Sequence, residues 1–128
     1  MSGDLADALL RIAHMKLSAA SGLVGTRFLA RSQQTSIGEL DVHVVGDGEI
    51  RIAWVWVRED WRSQGVASTL FARALDHYPQ AMSVRATAES PEGRVFMRSM
   101  EIRHAERSFH VLEEVSSHGE PESREDDW

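Results

Sequence analysis

Apolar and polar residues alternate over three successive segments of the chain, at residues 26–31, 36–45 and 49–57. This period of two is typical of strands, and a Gly-Asp-Gly turn at residues 46–48 joins the second segment to the third. In the second segment Leu40, Val42 and Val44 fall on one face, and Glu39, Asp41 and His43 fall on the other. The pattern predicts a meander of three strands.

A helical period of apolar residues occurs in three other segments. Residues 4–21 end before Gly22, residues 66–78 end before Pro79, and residues 91–99 carry a proline in their first turn. Residues 81–88, 102–105 and 107–115 fit strands. Three strands, a helix, a strand, a helix and two strands predict an α/β fold, a sheet with helices on its faces.

The loop before the second of these helices carries the clearest chemical signal. It follows the apolar strand at residues 50–57, and Gly65 permits a turn that other residues enter only at a cost. The first N–H groups of a helix lack partners, so they form an anion site with the helix dipole and the cation of Arg62. This loop predicts a pyrophosphate site, and the alternative is an ordinary turn at Gly65 with a solvated Arg62.

The order Arg62-Ser63-Gln64-Gly65-Val66-Ala67 resembles the Arg/Gln-x-x-Gly-x-Gly/Ala loop of the GCN5-related N-acetyltransferases, the GNAT superfamily. That loop wraps the pyrophosphate of acetyl-coenzyme A, so the resemblance implies that these six residues bind acetyl-coenzyme A (acetyl-CoA) as co-substrate. It covers residues 22–115 and implies a mixed, mostly antiparallel central sheet with helices on both faces. The strands on either side of the loop helix would splay apart to admit the pantetheine arm.

The N-terminal part differs from the family, which opens with a strand and two helices. Here only about one helix precedes Thr26, so we expect a shortened N-terminal part without the first strand.

Residues 90–102 resemble a second family segment, Asn-x-x-Ala-x-x-Phe-Tyr-x-x-x-Gly-Phe. Ser90 stands at the Asn position, where it can keep a hydrogen bond to the co-substrate. Met97 stands at the position of the Tyr that protonates the departing thiolate in many relatives, and it has no proton to give. Ser83 occupies the base position of a segment similar to that of bacterial ribosomal-protein acetyltransferases. Both residues that the family would supply for proton transfer are therefore absent.

The remaining candidates for proton transfer lie on the polar face of residues 39–43. In the family's geometry the acyl carbonyl would lie near the backbone of Val55 and Val57. Glu39 or Asp41 would then draw a proton from the amine through water and attract its positive charge; the alternative is that this face is simply solvated. Trp54 and Trp56 share a strand face with Ile50 and Ile52, which predicts that both tryptophans belong to the core; the alternative is that they line the acceptor pocket.

Composition restricts the other classes of function. The chain has 128 residues, no cysteine and six scattered histidines, which argues against a disulfide framework, a thiolate nucleophile and a metal site. The acidic N-terminus lacks the pattern of a secretory signal, no segment is apolar enough to span a membrane, and we expect a cytoplasmic protein. No nucleic-acid partner is expected, since basic residues form no stripe. The number of subunits stays open, a homodimer included.

The net charge of −6 is concentrated at the C-terminus. Seven of the 20 acidic residues and one basic residue fall within residues 113–128. This composition predicts one domain, residues 1–115, followed by an acidic, disordered tail at 116–128.

The resemblance implies an N-acetyltransferase that moves an acetyl group from acetyl-CoA directly to a primary amine of a small molecule or protein. The missing proton donors leave an alternative, a catalytically silent GNAT-fold module that senses acyl-CoA or binds another protein.

Overall fold

The computed structural model describes residues 11–18 and 24–113, which form one sheet of six strands with two helices. The strands are β1 (Arg11–Ser18), β2 (Val24–Ser32), β3 (Thr35–Gly46), β4 (Glu49–Val57), β5 (Ser83–Ala88) and β6 (Ser108–Glu113). The helices are α1 (Val66–His77) and α2 (Pro91–Arg103), and a 3-10 turn at Glu59–Trp61 precedes α1. The predicted three-strand meander, the hairpin turn and the helix after the loop are confirmed.

The strands lie in the order of the sequence, β1 to β6. Neighbours from β1 to β4 pair antiparallel because short connections join them, whereas β4, β5 and β6 pair in parallel because α1 and α2 make the crossovers. The sheet is therefore mixed and mostly antiparallel, as the sequence predicts.

Both helices pack against one face of this sheet. Phe71 of α1 lies 6.0 Å from the ring of Phe96 of α2 and 6.0 Å from that of Phe109 of β6, and buried residues of both helices belong to a single apolar core. The resemblance implies helices on both faces. Here α1 joins β4 to β5 and α2 joins β5 to β6, so both crossovers run in the same direction along the sheet. Because such crossovers have the same hand, they place both described helices on one face. We call this the helix face and the other the open face.

The largest buried side chains of the core come from β2, β3, β4, β5 and both helices: Phe28, Ile37, Leu40, Ile50, Leu70, Phe71, Val84, Met97 and Met100. Gly38 of β3 is needed where α1 begins, because a Cβ there would lie 2.8 Å from Cγ1 of Val66. The absence of a side chain at residue 38 lets the start of α1 approach the sheet closely.

The prediction of a helix at residues 4–21 is wrong for residues 11–18, which form β1. Apolar residues recur there at helical spacing, but the exposed edge of β2 offers a full ladder of hydrogen bonds, and β1 pairs with it from Arg11↔Arg31 to Ser18↔Val24. The rest of the predicted helix lies outside the described residues. The expectation of a shortened N-terminal part is confirmed, but the first strand is not the missing element, because β1 precedes β2 and pairs with it. Only residues 19–23 separate β1 from β2, too few for the two helices that the family places there.

The predicted strand at residues 102–105 is wrong as well. Helix α2 continues through Arg103, since Met100 extends its buried stripe, and His104 then ends the helix with its N–H donated to the carbonyl of Met100. The last predicted strand is confirmed for Ser108–Glu113. The acidic tail lies outside the described residues.

A β-bulge in β4 changes which side chains face the core. The register runs from Asp41↔Trp54 directly to Val42↔Ile52, so Ala53 has no partner across the pair. Ile50 and Ile52 are buried before the bulge and Val55 and Val57 after it. Trp54 and Trp56 therefore lie on the open face, with Trp54 50% exposed, and the prediction that both belong to the core is wrong.

Where α2 ends, burial disfavours the charged form of a histidine. His104 stacks on Phe71 with ring centroids 5.7 Å apart, and its pKa is lowered from the ordinary value of 6.5 mainly by burial, against the opposing charge of Glu106. The unfolded chain binds this proton more readily than the folded protein does. The free energy of unfolding therefore decreases as the pH falls below about 6.5, and it stops decreasing once the folded state is also protonated.

We expect His104→Phe, which keeps the stacked ring, to lose less stability than the wild type between pH 7.5 and pH 5. Urea unfolding midpoints of the two proteins at both pH values measure the difference. Parallel pH dependences of the two proteins would contradict this assignment.

In the part of the chain that the structure describes, no helix combines the length and the apolar character needed to cross a bilayer.

Candidate functional site

The loop between β4 and α1 places an uncapped helix start beside the end of a strand. Gly65 is the N-cap residue of α1 with φ of 86° and ψ of 9°, a left-handed conformation that favours glycine, and it gives no side-chain hydrogen bond to the helix. The carbonyl of Gly65 accepts hydrogen bonds from the N–H and the hydroxyl of Thr69, at 3.0 and 2.8 Å. The helix is thus well started, while no side-chain cap covers the N–H groups of its first turn.

The rest of the loop keeps positive charge close to this helix start. Nε of Arg62 donates to the carbonyl of Val57 at 3.3 Å, and Nε2 of Gln64 donates to the carbonyl of Asp60 at 3.3 Å. Ser63 has a φ of 65°, which costs a residue with a side chain about 1 kcal/mol or more and is common at ligand-binding loops. With the helix dipole, the loop forms a positively polarised site suited to a phosphate group.

A cavity of about 130 Å³ opens at this helix start. Its walls are Val57, Trp61, Ser63, Gly65, Val66, Ala67, Ser68 and Phe96. Five of these eight residues, Val57, Ser63, Gly65, Val66 and Ala67, are predicted from the sequence, whereas Trp61, Ser68 and Phe96 are not. The sequence of α2 could have identified Phe96, because this residue lies between the buried Gly93 and Met97. It is on the side of α2 that faces α1.

Strands β4 and β5 separate next to this loop. Their ladder runs from Glu49↔Ser83 to Ile52↔Ala86 and stops there, although both strands continue. A cavity of about 120 Å³ lies between them, lined by Ile52, Ala53, Trp54, Val55, Ala86, Thr87 and Glu89. The bulge and the end of the ladder leave the β5-facing edge of β4 outside the sheet's hydrogen bonding, so a ligand can pair with the strand backbone there.

Val55 lines this cleft, and Val57 lines the cavity at the start of α1. Both side chains are buried on the helix face, at 6% and 1% exposure. Ser90 lies at the other side of the loop and caps α2, its hydroxyl oxygen accepting from the N–H of Gly93 at 3.0 Å. A hydroxyl that accepts one hydrogen bond can still donate its own hydrogen, so Ser90 keeps a donor at the start of α2.

The two candidate carboxylates differ in their surroundings. Asp41 is 8% exposed and accepts two hydrogen bonds from Arg27, from Nε at 2.8 Å and from Nη2 at 2.9 Å. This bond and the charge of Asp41 raise the pKa of the Arg27 guanidinium above its ordinary value, with a smaller contribution from Glu39. Glu39 is partly exposed, and no salt bridge or hydrogen bond of its side chain occurs within the described residues. Glu39 is therefore the better placed of the two to exchange a proton.

The positions that the family uses for proton transfer lie away from the cleft. Met97 is fully buried at 0% exposure in the core of the helix face. Ser83 starts β5 at the end opposite to the loop, beside Glu49. The hydroxyl of Tyr78, the one tyrosine of the chain, is hydrogen-bonded to Thr26 at 2.6 Å beyond the far end of α1. No tyrosine therefore lies at the loop end of the cleft.

Comparison with known proteins agrees with this geometry. A model of the GNAT acetyltransferase family matches residues 8–100, and the chain therefore belongs to the GNAT acetyltransferase family. No curated protein sequence matches the chain.

Solved structures share the fold at low identity. A GNAT-family acetyltransferase from Streptococcus pneumoniae TIGR4 has a TM-score of 0.52 at 23% identity, over 70% of this chain and 86% of that one. A ribosomal-protein-alanine N-acetyltransferase from Brucella melitensis biovar Abortus 2308 has a TM-score of 0.53 at 15% identity, over 59% and 60%. The aminoglycoside N-acetyltransferase AAC(6')-Iy in complex with CoA has a TM-score of 0.50 at 16% identity, over 83% and 92%.

Proposed function

We propose that this protein is an N-acetyltransferase that moves an acetyl group from acetyl-CoA directly to a primary amine. One observation carries the proposal: the uncapped start of α1 at Gly65 lies at the end of β4, at the mouth of the cleft between β4 and β5. A site for a phosphate thus lies next to a slot for an extended, amide-containing arm. Membership of the GNAT family and the CoA complex of one structural neighbour support the same ligand.

The loop residues would hold the pyrophosphate of acetyl-CoA. The N–H groups of Gly65, Val66 and Ala67 provide donors without side-chain competition, and the guanidinium of Arg62 provides charge. Ser63 and Gln64 shape the loop, and the Ser90 hydroxyl offers a donor from α2. The backbone of β4 at Val55 and Val57 would pair with the arm and stabilise negative charge on the acyl oxygen.

Acetyl-CoA supplies the thioester, and the chain supplies orientation and proton transfer. The amine nitrogen attacks the acyl carbon directly as the C–S bond breaks, so no acyl group becomes attached to the protein, which has no cysteine to carry one. Glu39 first accepts a proton from the ammonium group through water, the neutral amine then attacks, and water carries the second amine proton to the departing sulfur. Holding the reactants together contributes more than a single acid or base, which is worth about 10²–10⁴-fold, so transfer is feasible without a tyrosine.

A second candidate is an acyl-CoA-binding module without activity. Its supporting observation is that the fully buried Met97 stands at the family's Tyr position, so the cleft lacks the usual proton donor. Both candidates predict binding of acetyl-CoA, and only the first predicts thiol release.

Calorimetry with acetyl-CoA and a thiol-release assay with a panel of amines test the two candidates. Binding with amine-dependent thiol release is the expected result. Binding without release for any amine would favour the silent module, and the absence of binding would exclude both.

Replacing Arg62 with alanine should weaken acetyl-CoA binding. Loss of a charged hydrogen bond to phosphate costs about 1.5–3 kcal/mol, so we expect Kd to rise about thirtyfold. Arg73→Ala, an exposed arginine in α1, serves as the control and should leave Kd unchanged. Equal calorimetric affinities of the Arg62 variant and the wild type would remove Arg62 from the site.

A further inference from the structure

The bulge in β4 places two tryptophans beside two carboxylates on the open face. Cross-strand pairing sets Trp56 opposite Glu39 and Trp54 opposite Asp41, and side chains of directly opposed residues in an antiparallel pair share a face and lie in contact range. Trp54 also lines the cavity between β4 and β5. This row of side chains therefore extends from the cleft of the proposed co-substrate onto the open face.

The two carboxylates of this row differ in whether a cation is bonded to them. Asp41 is neutralised by the bidentate bond to Arg27, the residue opposite it on β2. Glu39 stands between Leu29 of β2 and Trp56 of β4, and no described residue forms a salt bridge with it. The row thus offers one carboxylate without an ion-pair partner among the described residues, Glu39, between an aliphatic and an aromatic side chain.

We propose that the acceptor is an alkylamine carrying one positive charge, such as a lysine side chain of a peptide. Its ammonium group would lie over Trp56 and Trp54 at the cleft, with Glu39 reached through water, and its methylene stem would extend away from the cleft toward Leu29. This inference rests on the proposed function and names the class of amine that the same site acetylates. Exposed tryptophan faces attract a cation through the ring quadrupole and cover an apolar stem, and Glu39 fixes the charged end.

A polycationic, polyhydroxylated acceptor such as an aminoglycoside fits this row poorly. A further ammonium that lay against the row would find no carboxylate of its own, because the second carboxylate is already bonded to Arg27. Arg27 would also repel a second positive charge brought near Asp41. Sugar hydroxyls placed against Trp54, Trp56 and Leu29 would lose water without gaining hydrogen-bond partners.

Glu39 has two roles in this arrangement: it attracts the cation and it accepts a proton. A cation that cannot react distinguishes the two roles. Before reaction the acceptor is an ammonium ion that loses one proton to Glu39, and the second proton leaves after the C–N bond forms. A quaternary ammonium has no proton to lose, so its binding reports recognition by Glu39 and the tryptophans without proton transfer.

The test is an NMR titration with hexyltrimethylammonium on the wild type and on Glu39→Gln, Trp56→Leu and Trp56→Phe. We expect binding to the wild type, at least tenfold weaker binding to the Gln and Leu variants, and recovery of most of the affinity in the Phe variant because a ring is retained. Glu101→Gln, an exposed carboxylate of α2, is the matched control and should bind as the wild type does. In thiol-release assays a lysine peptide should give a higher kcat/KM than neamine.

The outcomes separate this inference from the proposed function. Normal acetyl-CoA binding together with equal hexyltrimethylammonium affinity in the wild type and the Glu39 and Trp56 variants would overturn the acceptor class and leave the proposed function standing. A preference for neamine over the lysine peptide would also overturn it. Absence of acetyl-CoA binding would overturn the proposed function itself.

Discussion

Replacing Gly65 with valine is expected to abolish measurable acetyl-CoA binding, with Kd raised more than a hundredfold. The φ of 86° at Gly65 lies in the left-handed region, which a β-branched residue enters only at a cost of about 1–3 kcal/mol. The chain would relieve that strain by moving the first turn of α1, and the N–H groups that face the site would move with it. The added side chain would also stand where a phosphate must approach the backbone.

A second glycine provides the matched control for this change. Gly46 lies in β3 at the hairpin, far from the loop, and a Cβ added there meets no atom within 4 Å. Gly46→Val should therefore bind acetyl-CoA as the wild type does, in the same calorimetric titration. A folded Gly65→Val protein, judged by circular dichroism, that retained wild-type affinity would show that the start of α1 does not hold the ligand.

The features that the sequence predicts correctly depend on local chemistry. The turn from β4 into α1 is one of them, because Gly65 and the onset of the apolar helical period at Val66 lie next to each other in the chain. The hairpin between β3 and β4 is another, since glycines at 46 and 48 enclose its turn. In each case neighbouring residues determine the backbone, and distant partners only stabilise it.

The features that the sequence analysis misses depend on contacts between distant segments. Residues 11–18 have a helical apolar period, yet they pair with β2, and nothing within the segment itself indicates that the edge of β2 is available. The ion pair of Asp41 with Arg27 belongs to the same class, because it requires the register of β2 on β3. Local pattern therefore leaves Asp41 and Glu39 equivalent, and only the register distinguishes them.

The bulge in β4 lies between these two cases. Its buried residues follow the pattern Ile50, Ile52, Val55, Val57, and the step of three between 52 and 55 indicates one inserted residue. Continuing the alternation without that step assigns Trp54 and Trp56 to the core. Once the step is recognised, the same sequence predicts both tryptophans on the open face, where the proposed acceptor site lies.

Restoring the family's tyrosine at residue 97 should destabilise the protein rather than supply a proton donor. Met97 is buried at 0% exposure between α2 and the sheet, and the walls of the cavities at the loop and between β4 and β5 do not include it. A larger, rigid ring there forces the core apart at a cost of about 1–3 kcal/mol, and a buried hydroxyl without a partner adds about 1–3 kcal/mol. We expect Met97→Tyr to lose about 3 kcal/mol in urea unfolding and to show no gain in kcat.

Met97→Leu separates packing from chemistry at the same position. Leucine is close to methionine in volume, so this variant should lose less than about 1.5 kcal/mol and keep the wild-type rate of thiol release. The comparison of the two variants matters because leucine nearly keeps the volume of methionine, whereas tyrosine is larger and is the only one of the three that can donate a proton. A Met97→Tyr protein as stable as the wild type, with a tenfold higher kcat, would mean that the tyrosine hydroxyl reaches the cleft and would restore residue 97 as the general-acid position.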